Sequence, residues 1–149
     1  IDYVKQNEDD LWQATNIGSL KTTGIESDIL IKPSGNVNFK FGYAYINDDN
    51  YVSSIKFSRY SLNSLKHNFI SKVSLKYSKK LYHNIIFRYS ERLDLTNYRI
   101  VDTNISYKPF SKNAELYLNL NNIFDQYYWE TNLVPMPGKN FIIGYRSSF

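Results

Sequence analysis

Side chains suited to metal or acid–base chemistry are few in this chain and far apart. The sequence has two histidines, His67 and His83, and no cysteine, so it has neither disulfides nor thiolate ligands. The residue pattern predicts the histidines at opposite ends of adjacent strands, whereas a metal site needs its ligands within reach of one another. Neither a Ser-His-Asp arrangement nor a Gly-rich phosphate loop can be proposed. We expect no catalytic residues, no metal site and no cofactor, and therefore no enzyme.

Two acidic runs are the remaining candidates for ion binding. NEDD occupies residues 7–10 and INDDN residues 46–50, and both are predicted to lie in long loops. Clustered carboxylate oxygens suit a hard cation such as Ca²⁺. Solvated loop charge is the simpler interpretation, and we prefer it.

An aromatic stretch, QYYWETN at 126–132, is the best candidate for ligand contact. Aromatic rings with polar tips present flat apolar surface that can hold a bulky substrate. Packing within the loop or in an aromatic girdle is the alternative interpretation, and we slightly prefer it. The candidate contact residues are Trp12, Tyr127, Tyr128, Trp129 and Glu130.

The elements that would carry these residues are strands. Aromatic residues make up 17% of the chain, with 14 Tyr, and rings favour strands. Apolar and polar residues alternate, as in NVNFKFGYAYI at 36–46, which is typical of a strand with one apolar face. No segment has a convincing helical pattern. The alternation predicts about eight strands, in the ranges 1–5, 24–31, 36–46, 68–77, 83–92, 101–108, 114–121 and 141–149.

The connections between these strands alternate between short and long. Short turns are predicted at 32–36, 78–81 and 108–113, where Pro, Gly, Ser and Asn supply turn chemistry. Long loops are predicted at 6–16, 47–64, 91–98 and 124–140. This parity is typical of a membrane β-barrel, which has short turns at one rim and long loops at the other.

Tyrosines favour the membrane interpretation over a soluble β-sandwich. A transmembrane strand has about 9–11 residues, and aromatic residues collect at the two membrane interfaces. Several tyrosines fall on the predicted apolar faces near strand ends: Tyr43, Tyr45, Tyr77, Tyr89, Tyr107 and Tyr145. We therefore expect an antiparallel up-and-down transmembrane β-barrel. The net charge of +4 comes from scattered residues, which does not indicate nucleic-acid binding.

The last thirty residues resemble the C-terminal signature of TonB-dependent outer-membrane receptors. That signature has an Asn-Leu-Phe-Asp motif, a Tyr, a loop, Pro-Gly-Arg and a last strand that ends on Phe or Trp. Ile123 replaces the Leu and Lys139 replaces the Arg. Upstream, Asn16, Gly18, Gly24, Glu26 and His67 resemble further family positions. The matching motif residues are Asn122, Phe124, Asp125, Tyr128, Pro137, Gly138 and Lys139.

The resemblance implies a fold and a location. Family members form a barrel of about 22 strands around a plug domain. Residues 1–149 would then be the C-terminal part of such a barrel, in the outer membrane of a Gram-negative bacterium, with the plug and the N-terminal strands absent from the chain. The final strand would serve as the signal for the outer-membrane assembly machinery through Phe141, Ile143, Tyr145 and Phe149.

The resemblance also implies a function for the parent protein. Family members import bulky nutrients such as a ferric siderophore, haem or cobalamin, and the substrate is a small-molecule metal chelate. The expected partners are outer-membrane lipid, the plug and remaining barrel strands, and the TonB energy-coupling complex. Two alternatives stay open: a self-contained eight-stranded outer-membrane barrel acting as an adhesin or structural protein, and a soluble β-sandwich binding module.

Overall fold

A computed structural model of the chain describes residues 2–5, 7, 9–15, 20–50, 57–58, 65–92, 96–109, 114–131 and 134–147. This part of the chain consists of strands, turns and irregular connections, and it contains no helix long and apolar enough to cross a membrane. The strands are β1 (Asp2–Lys5), β2 (Gln13–Thr15), β3 (Leu20–Ser34), β4 (Val37–Asn50), β5 (Phe57–Ser58), β6 (Leu65–Lys76), β7 (Leu81–Arg92), β8 (Tyr98–Tyr107), β9 (Ala114–Asn121), β10 (Trp129–Thr131), β11 (Val134–Pro135) and β12 (Asn140–Ser147).

Seven strands form one antiparallel sheet in the order β12-β9-β8-β7-β6-β4-β3. Each of the seven strands pairs with the one that follows it in sequence among the seven. The sheet is therefore an up-and-down meander. The strand ends joined through residues 35–36, 77–80 and 108–113 lie at one end of the sheet, which we call the turn end. The strand ends joined through residues 51–64, 93–97 and 122–139 lie at the other, which we call the loop end. The expected all-β class and up-and-down order are confirmed, and the sheet is open.

The register separates the residues of the sheet into two faces. One row crosses all seven strands and is apolar except for Thr103. The same alternation holds in the neighbouring rows, because side chains point to opposite faces of a strand with a period of two. We call this side the apolar face. The row contains Ile31, Phe39, Val73, Ile85, Thr103, Leu120 and Phe141.

The opposite side, the polar face, carries a chain of cross-strand hydrogen bonds. Ser74 donates its hydroxyl to Asn84 Oδ1 at 2.7 Å. Asn84 Nδ2 donates to Asn104 Oδ1 at 3.3 Å, and Asn104 Nδ2 donates to Asn119 Oδ1 at 2.5 Å. The side chains of four adjacent strands thus satisfy one another in a single row, which supports the sheet in addition to its backbone ladder.

The buried hydrophobic residues of the described chain lie on the polar face. Ile100 has no exposed surface, and Tyr98 and Tyr128 are buried beside it, with Met136 packed against them. Ile100 is the register partner of Arg88, which places it on the polar face. Apolar-face residues at the sheet edges are exposed, for example Ile25 (68%) and Ile143 (72%). The described part of the chain leaves much of its more apolar face uncovered.

The short strands β2, β5, β10 and β11 lie within predicted long loops, and two further predictions about the elements are wrong. Residues 47–50 of the acidic run were expected in a loop, but they extend β4 because β3 pairs with it from Ser34 back to Leu20. Residues 2–5 were expected to begin the same series of strands, but β1 pairs with β2 and β5 in a separate three-stranded sheet. In the first case pairing with β3 overrides the local polar pattern, and in the second the local pattern predicts a strand but not its partners.

We predict that the Tyr117 ring packs across the final hairpin only because residue 144 is a glycine. The Tyr117 ring from β9 covers Gly144 of β12, and the Arg146 guanidinium lies 5.8 Å from the centre of that ring. A Cβ at position 144 would overlap the ring. We expect Gly144→Ala to displace the Tyr117 ring and to lower the free energy of unfolding by about 1 kcal/mol, at the low end of overpacking costs, because the overlapping atoms are at the end of one side chain.

The matched control is Gly35→Ala in the β3–β4 turn. A Cβ there meets no atom within 4 Å, and Gly35 has no positive φ. Urea unfolding of both variants, followed by circular dichroism, measures the difference. Equal stability of the two variants would contradict the packing role of Tyr117.

Candidate functional site

Asn122 joins β9 to the connection 122–139, which returns the chain to β12. Its φ of 49° is in the left-handed region, which Asn tolerates better than most residues. Its Nδ2 donates to the carbonyls of Gln126 at 2.8 Å and Pro137 at 3.3 Å, and its Oδ1 accepts from the Gln126 N–H at 2.9 Å. The buried Asn122 side chain therefore ties both ends of the connection together.

Asp125 forms a second tie in the same turn. Its φ is 55°, and its N–H donates to the Asn122 carbonyl at 2.8 Å. Its Oδ1 accepts the Lys139 N–H at 2.6 Å. A Cβ on Gly138 would lie 2.6 Å from that same oxygen, so only glycine fits here without displacing the carboxylate. These residues carry the resemblance to the receptor signature, and the structure brings them into direct contact.

Arg88 links this turn to the middle of the polar face. Its guanidinium contacts Asp102 Oδ2 at 3.0 Å and Glu130 Oε1 at 3.4 Å. The other oxygen of Asp102 accepts the Asn122 N–H at 2.8 Å. A continuous polar network therefore runs from β7 through β8 to the connection. The three side chains are each about one third exposed or less, so solvent screens these ion pairs less than pairs on the open surface.

Aromatic packing holds the connection against β8. The Tyr98 and Tyr128 rings lie 4.5 Å apart between centres, and the Tyr98 hydroxyl donates to Glu130 Oε1 at 3.3 Å. The Met136 N–H donates to the Tyr128 carbonyl at 3.0 Å, closing the β10–β11 hairpin. Burial raises the pKa of the Tyr128 hydroxyl, and the nearby Arg88 only partly opposes this, so the phenol stays neutral.

A cavity of about 250 Å³ opens beside this network. Its lining is mostly polar and includes both charged groups of the central ion pair, so it fits water or a small polar group better than an apolar ligand. The lining residues are Arg88, Asp102, Asn121, Asn122, Tyr128, Pro137 and Asn140.

The candidate ligand-contact residues are not all available to a ligand. Tyr128 is 5% exposed and Glu130 is engaged by Arg88 and Tyr98, so both serve packing of the connection. Tyr127 is 65% exposed and contacts Trp129 edge to face, with ring centres 4.6 Å apart. Trp12 lies outside the main sheet, where the Lys5 ammonium sits 5.3 Å from its ring centre. Tyr127 therefore offers the most accessible ring of this set.

The described residues of the proposed assembly signal share one face of β12. Phe141, Ile143 and Tyr145 pair with Leu120, Leu118 and Leu116 on the apolar face, and all three are exposed. Phe149 lies outside the described residues. Phe124, from the motif itself, is also exposed, so its ring is available to a membrane or a partner.

Both histidines lie on the apolar face, at opposite ends of β6 and β7. His67 Nδ1 is 2.8 Å from the Tyr43 hydroxyl near the loop end. His83 contacts the Tyr77 hydroxyl at 3.1 Å and Thr103 Oγ1 at 2.6 Å near the turn end. Within the described ranges no group of three His, Cys, Asp or Glu side chains could hold a metal ion.

Sequence reasoning missed the partners that complete the network. The alternation along β7 and β8 puts Arg88 and Asp102 on the polar face, but nothing in the local pattern places them together or beside Glu130. Tyr98 was assigned to a loop end, whereas it is buried. The signal that could have pointed to this network was Asn122 of the motif. A buried amide side chain has two N–H groups and a carbonyl, which require partners from elsewhere in the chain.

These features describe an all-β chain whose main sheet is an antiparallel meander, with a polar network that closes the last connection. A scan with protein-family models gives no match for this chain, and a search of curated proteins gives none either.

The connection 122–139 is predicted to depend on the Asn122 side chain. Asn122→Ala removes its three hydrogen bonds and places at positive φ a residue that tolerates this conformation less well than asparagine. We expect a loss of about 2–4 kcal/mol in the free energy of unfolding, since buried partners are left unsatisfied. The rate of hydrogen exchange of the backbone amides of 122–139 should rise in the same variant.

Asn122→Gly separates the two causes. Glycine accepts positive φ but supplies no side chain. We expect it to recover about 1 kcal/mol of the loss while amide exchange stays fast. If the glycine variant regained full protection, the hydrogen bonds would not be what holds the connection.

Proposed function

We propose that this chain is the C-terminal part of the barrel of a TonB-dependent outer-membrane receptor. The parent protein would import a bulky metal chelate, such as a siderophore complex, haem or cobalamin, with energy from the inner membrane. The chain itself contributes barrel wall and loops and carries out no chemistry. Its apolar face contacts outer-membrane lipid, and its polar face lines the lumen beside the plug.

The observation that carries the proposal is the position of the buried residues. In a soluble β-sandwich the more apolar face of a sheet is buried against a second sheet. Here the buried cluster of Tyr98, Ile100 and Tyr128 lies on the polar face, and edge residues such as Phe141 (69% exposed) leave the apolar face open. An apolar face this extensive needs a covering, and lipid supplies one.

The spacing of the aromatic residues fits a bilayer. Tyr45 pairs with His67 near the loop end of β6. Tyr77, at the turn end, lies ten residues after His67. At roughly 3.3 Å per residue this is about 33 Å along the strand. With a strand tilt of about 40°, the height along the barrel axis is about 25 Å, the usual height of the apolar band.

The polar face supports the lumen side of the proposal. The row from Ser74 to Asn119 presents hydroxyl and amide groups, which suit a hydrated interior rather than lipid. The residues that resemble the receptor motif also have a shared structural use, because Asn122, Asp125, Gly138 and Lys139 make contacts that hold the two ends of the last connection together.

Lysine substitutions on the two faces of β4 test the membrane assignment. Phe41 lies on the apolar face near mid-strand, and Ala44 lies on the polar face of the same strand. We expect Phe41→Lys to reduce assembly into the outer membrane strongly, since a lysine facing lipid at mid-depth costs about 2–4 kcal/mol. Ala44→Lys, the matched control, should assemble at the wild-type level.

The measurement is the amount of full-length gene product in washed outer membranes that shows heat-modifiable migration. Recovery of the wild-type protein as a soluble monomer without detergent would overturn the membrane assignment. Equal assembly of the two lysine variants would show that the apolar face does not meet lipid.

Nutrient uptake tests the receptor assignment. We expect deletion of the gene to abolish high-affinity uptake of one radiolabelled metal chelate among ferric siderophores, haem and cobalamin. Uptake should also require an intact energy-coupling complex. A complete gene that encodes a signal peptide but no plug would sink the receptor proposal in favour of a small self-contained barrel.

A further inference from the structure

Charge is distributed unequally along the axis of the main sheet. The apolar row from Ile31 to Phe141 divides its strands into two halves. On the loop-end side, the described residues of these strands and of the connection 122–139 include eight Lys or Arg and eight Asp or Glu. On the turn-end side, the described residues of the strands and of the turns that join them include six basic residues and one acidic residue. The six are Lys32, Lys76, Lys79, Lys80, Lys108 and Arg146, and the acidic residue is Glu115.

Three of these lysines are brought together by two adjacent turns. The Lys108 N–H donates to the Lys80 carbonyl at 2.8 Å, which joins the end of β8 to the β6–β7 turn. Lys80 Nζ donates to the Pro109 carbonyl at 2.9 Å, and Lys108 Nζ lies 5.4 Å from the Tyr82 ring centre. Lys79 is exposed beside them. We call Lys79, Lys80 and Lys108 the turn-end lysine cluster.

The turn-end lysine cluster has no carboxylate partner among the described residues. Glu115, the acidic residue of this half, is paired with Arg146 at 3.5 Å. No ion pair involves Lys79, Lys80 or Lys108 within the described ranges. Three neighbouring cations without counter-charge repel one another and favour an anionic partner.

Exposed tyrosines border the cluster on the apolar face. Tyr77 and Tyr107 flank the same two turns and are 61% and 43% exposed, and Tyr145 is exposed at the same end of β12. Tyrosine rings with adjacent lysines are the combination found where protein meets the headgroup layer, because the rings sit at the interface and the ammonium groups reach the phosphates.

We propose that the turn-end lysine cluster binds the headgroups of anionic phospholipids in the leaflet at the turn end. This rests on the proposed membrane location and adds a lipid preference to it. The apolar face fixes the depth of the sheet, the tyrosines mark the interface, and the lysines lie just beyond it. The described residues at the loop end carry balanced charge, so we expect no comparable preference there.

Lipid selectivity measured by electron spin resonance tests the proposal. The full-length gene product is reconstituted in phosphatidylcholine vesicles with spin-labelled phosphatidylglycerol or phosphatidylcholine, and the motionally restricted fraction gives the relative association constant. We expect the wild type to prefer phosphatidylglycerol. The double variant Lys79→Gln/Lys80→Gln should lower that preference about threefold or more, because each lysine near an anionic surface contributes to attraction.

The matched control is Lys21→Gln/Lys66→Gln, which removes the same charge at the loop end. It should retain the wild-type preference, and added salt should weaken the preference of the wild type. Equal selectivity of wild type and the turn-end variant would overturn the lipid proposal while leaving the membrane assignment intact. Failure of the wild type to enter vesicles of either composition would overturn both.

Discussion

The unbroken register of the antiparallel ladder is the constraint on which the rest of the structure depends. Six consecutive pairings connect β3 to β12, and the irregularities within them lie near strand ends, between Ile31 and Ser34 and between Leu65 and His67. A slip of one residue in any pairing would move a whole strand's apolar residues to the other face. Because no slip occurs in the central rows, apolar side chains from seven strands form one surface and polar side chains form the other.

Separation of the faces gives the polar network its position and its strength. Arg88 and Asp102 share the polar face because each lies an even number of residues from its neighbours on that face. The connection 122–139 then folds over them and reduces their contact with water. The same two ion pairs of Arg88 on an open surface would contribute little to stability. Exposed ion pairs are screened by solvent, and forming them costs side-chain entropy. The closure of the last loop and the burial of the network therefore reinforce each other.

The sequence predicted the main sheet well and its closing contacts poorly, for a physical reason. A period of two is written into each strand separately, so Val37 to Tyr45 or Leu116 to Leu120 can be assigned without knowing the neighbours. Turn residues such as Gly35 and Pro109 likewise act locally. Burial of Tyr98 and Tyr128 is different, because it arises from contact between segments thirty residues apart. The extension of β4 to Asn50 also depends on its partner strand, and its own sequence is polar there.

The position of the polar network also favours the membrane interpretation over the soluble one. If the apolar face were packed against a second sheet in water, the polar face would be the outer surface of the sandwich. The buried tyrosines, the fully buried Ile100 and the amide row would then occupy the solvated side, while Ile143 and Phe141 formed the interior. An arrangement of this kind places the hydrogen-bonded row from Ser74 to Asn119 where water would satisfy its groups equally well. In the proposed barrel, the same groups would line a confined lumen, where their mutual hydrogen bonds and the loop that covers them would have a structural use.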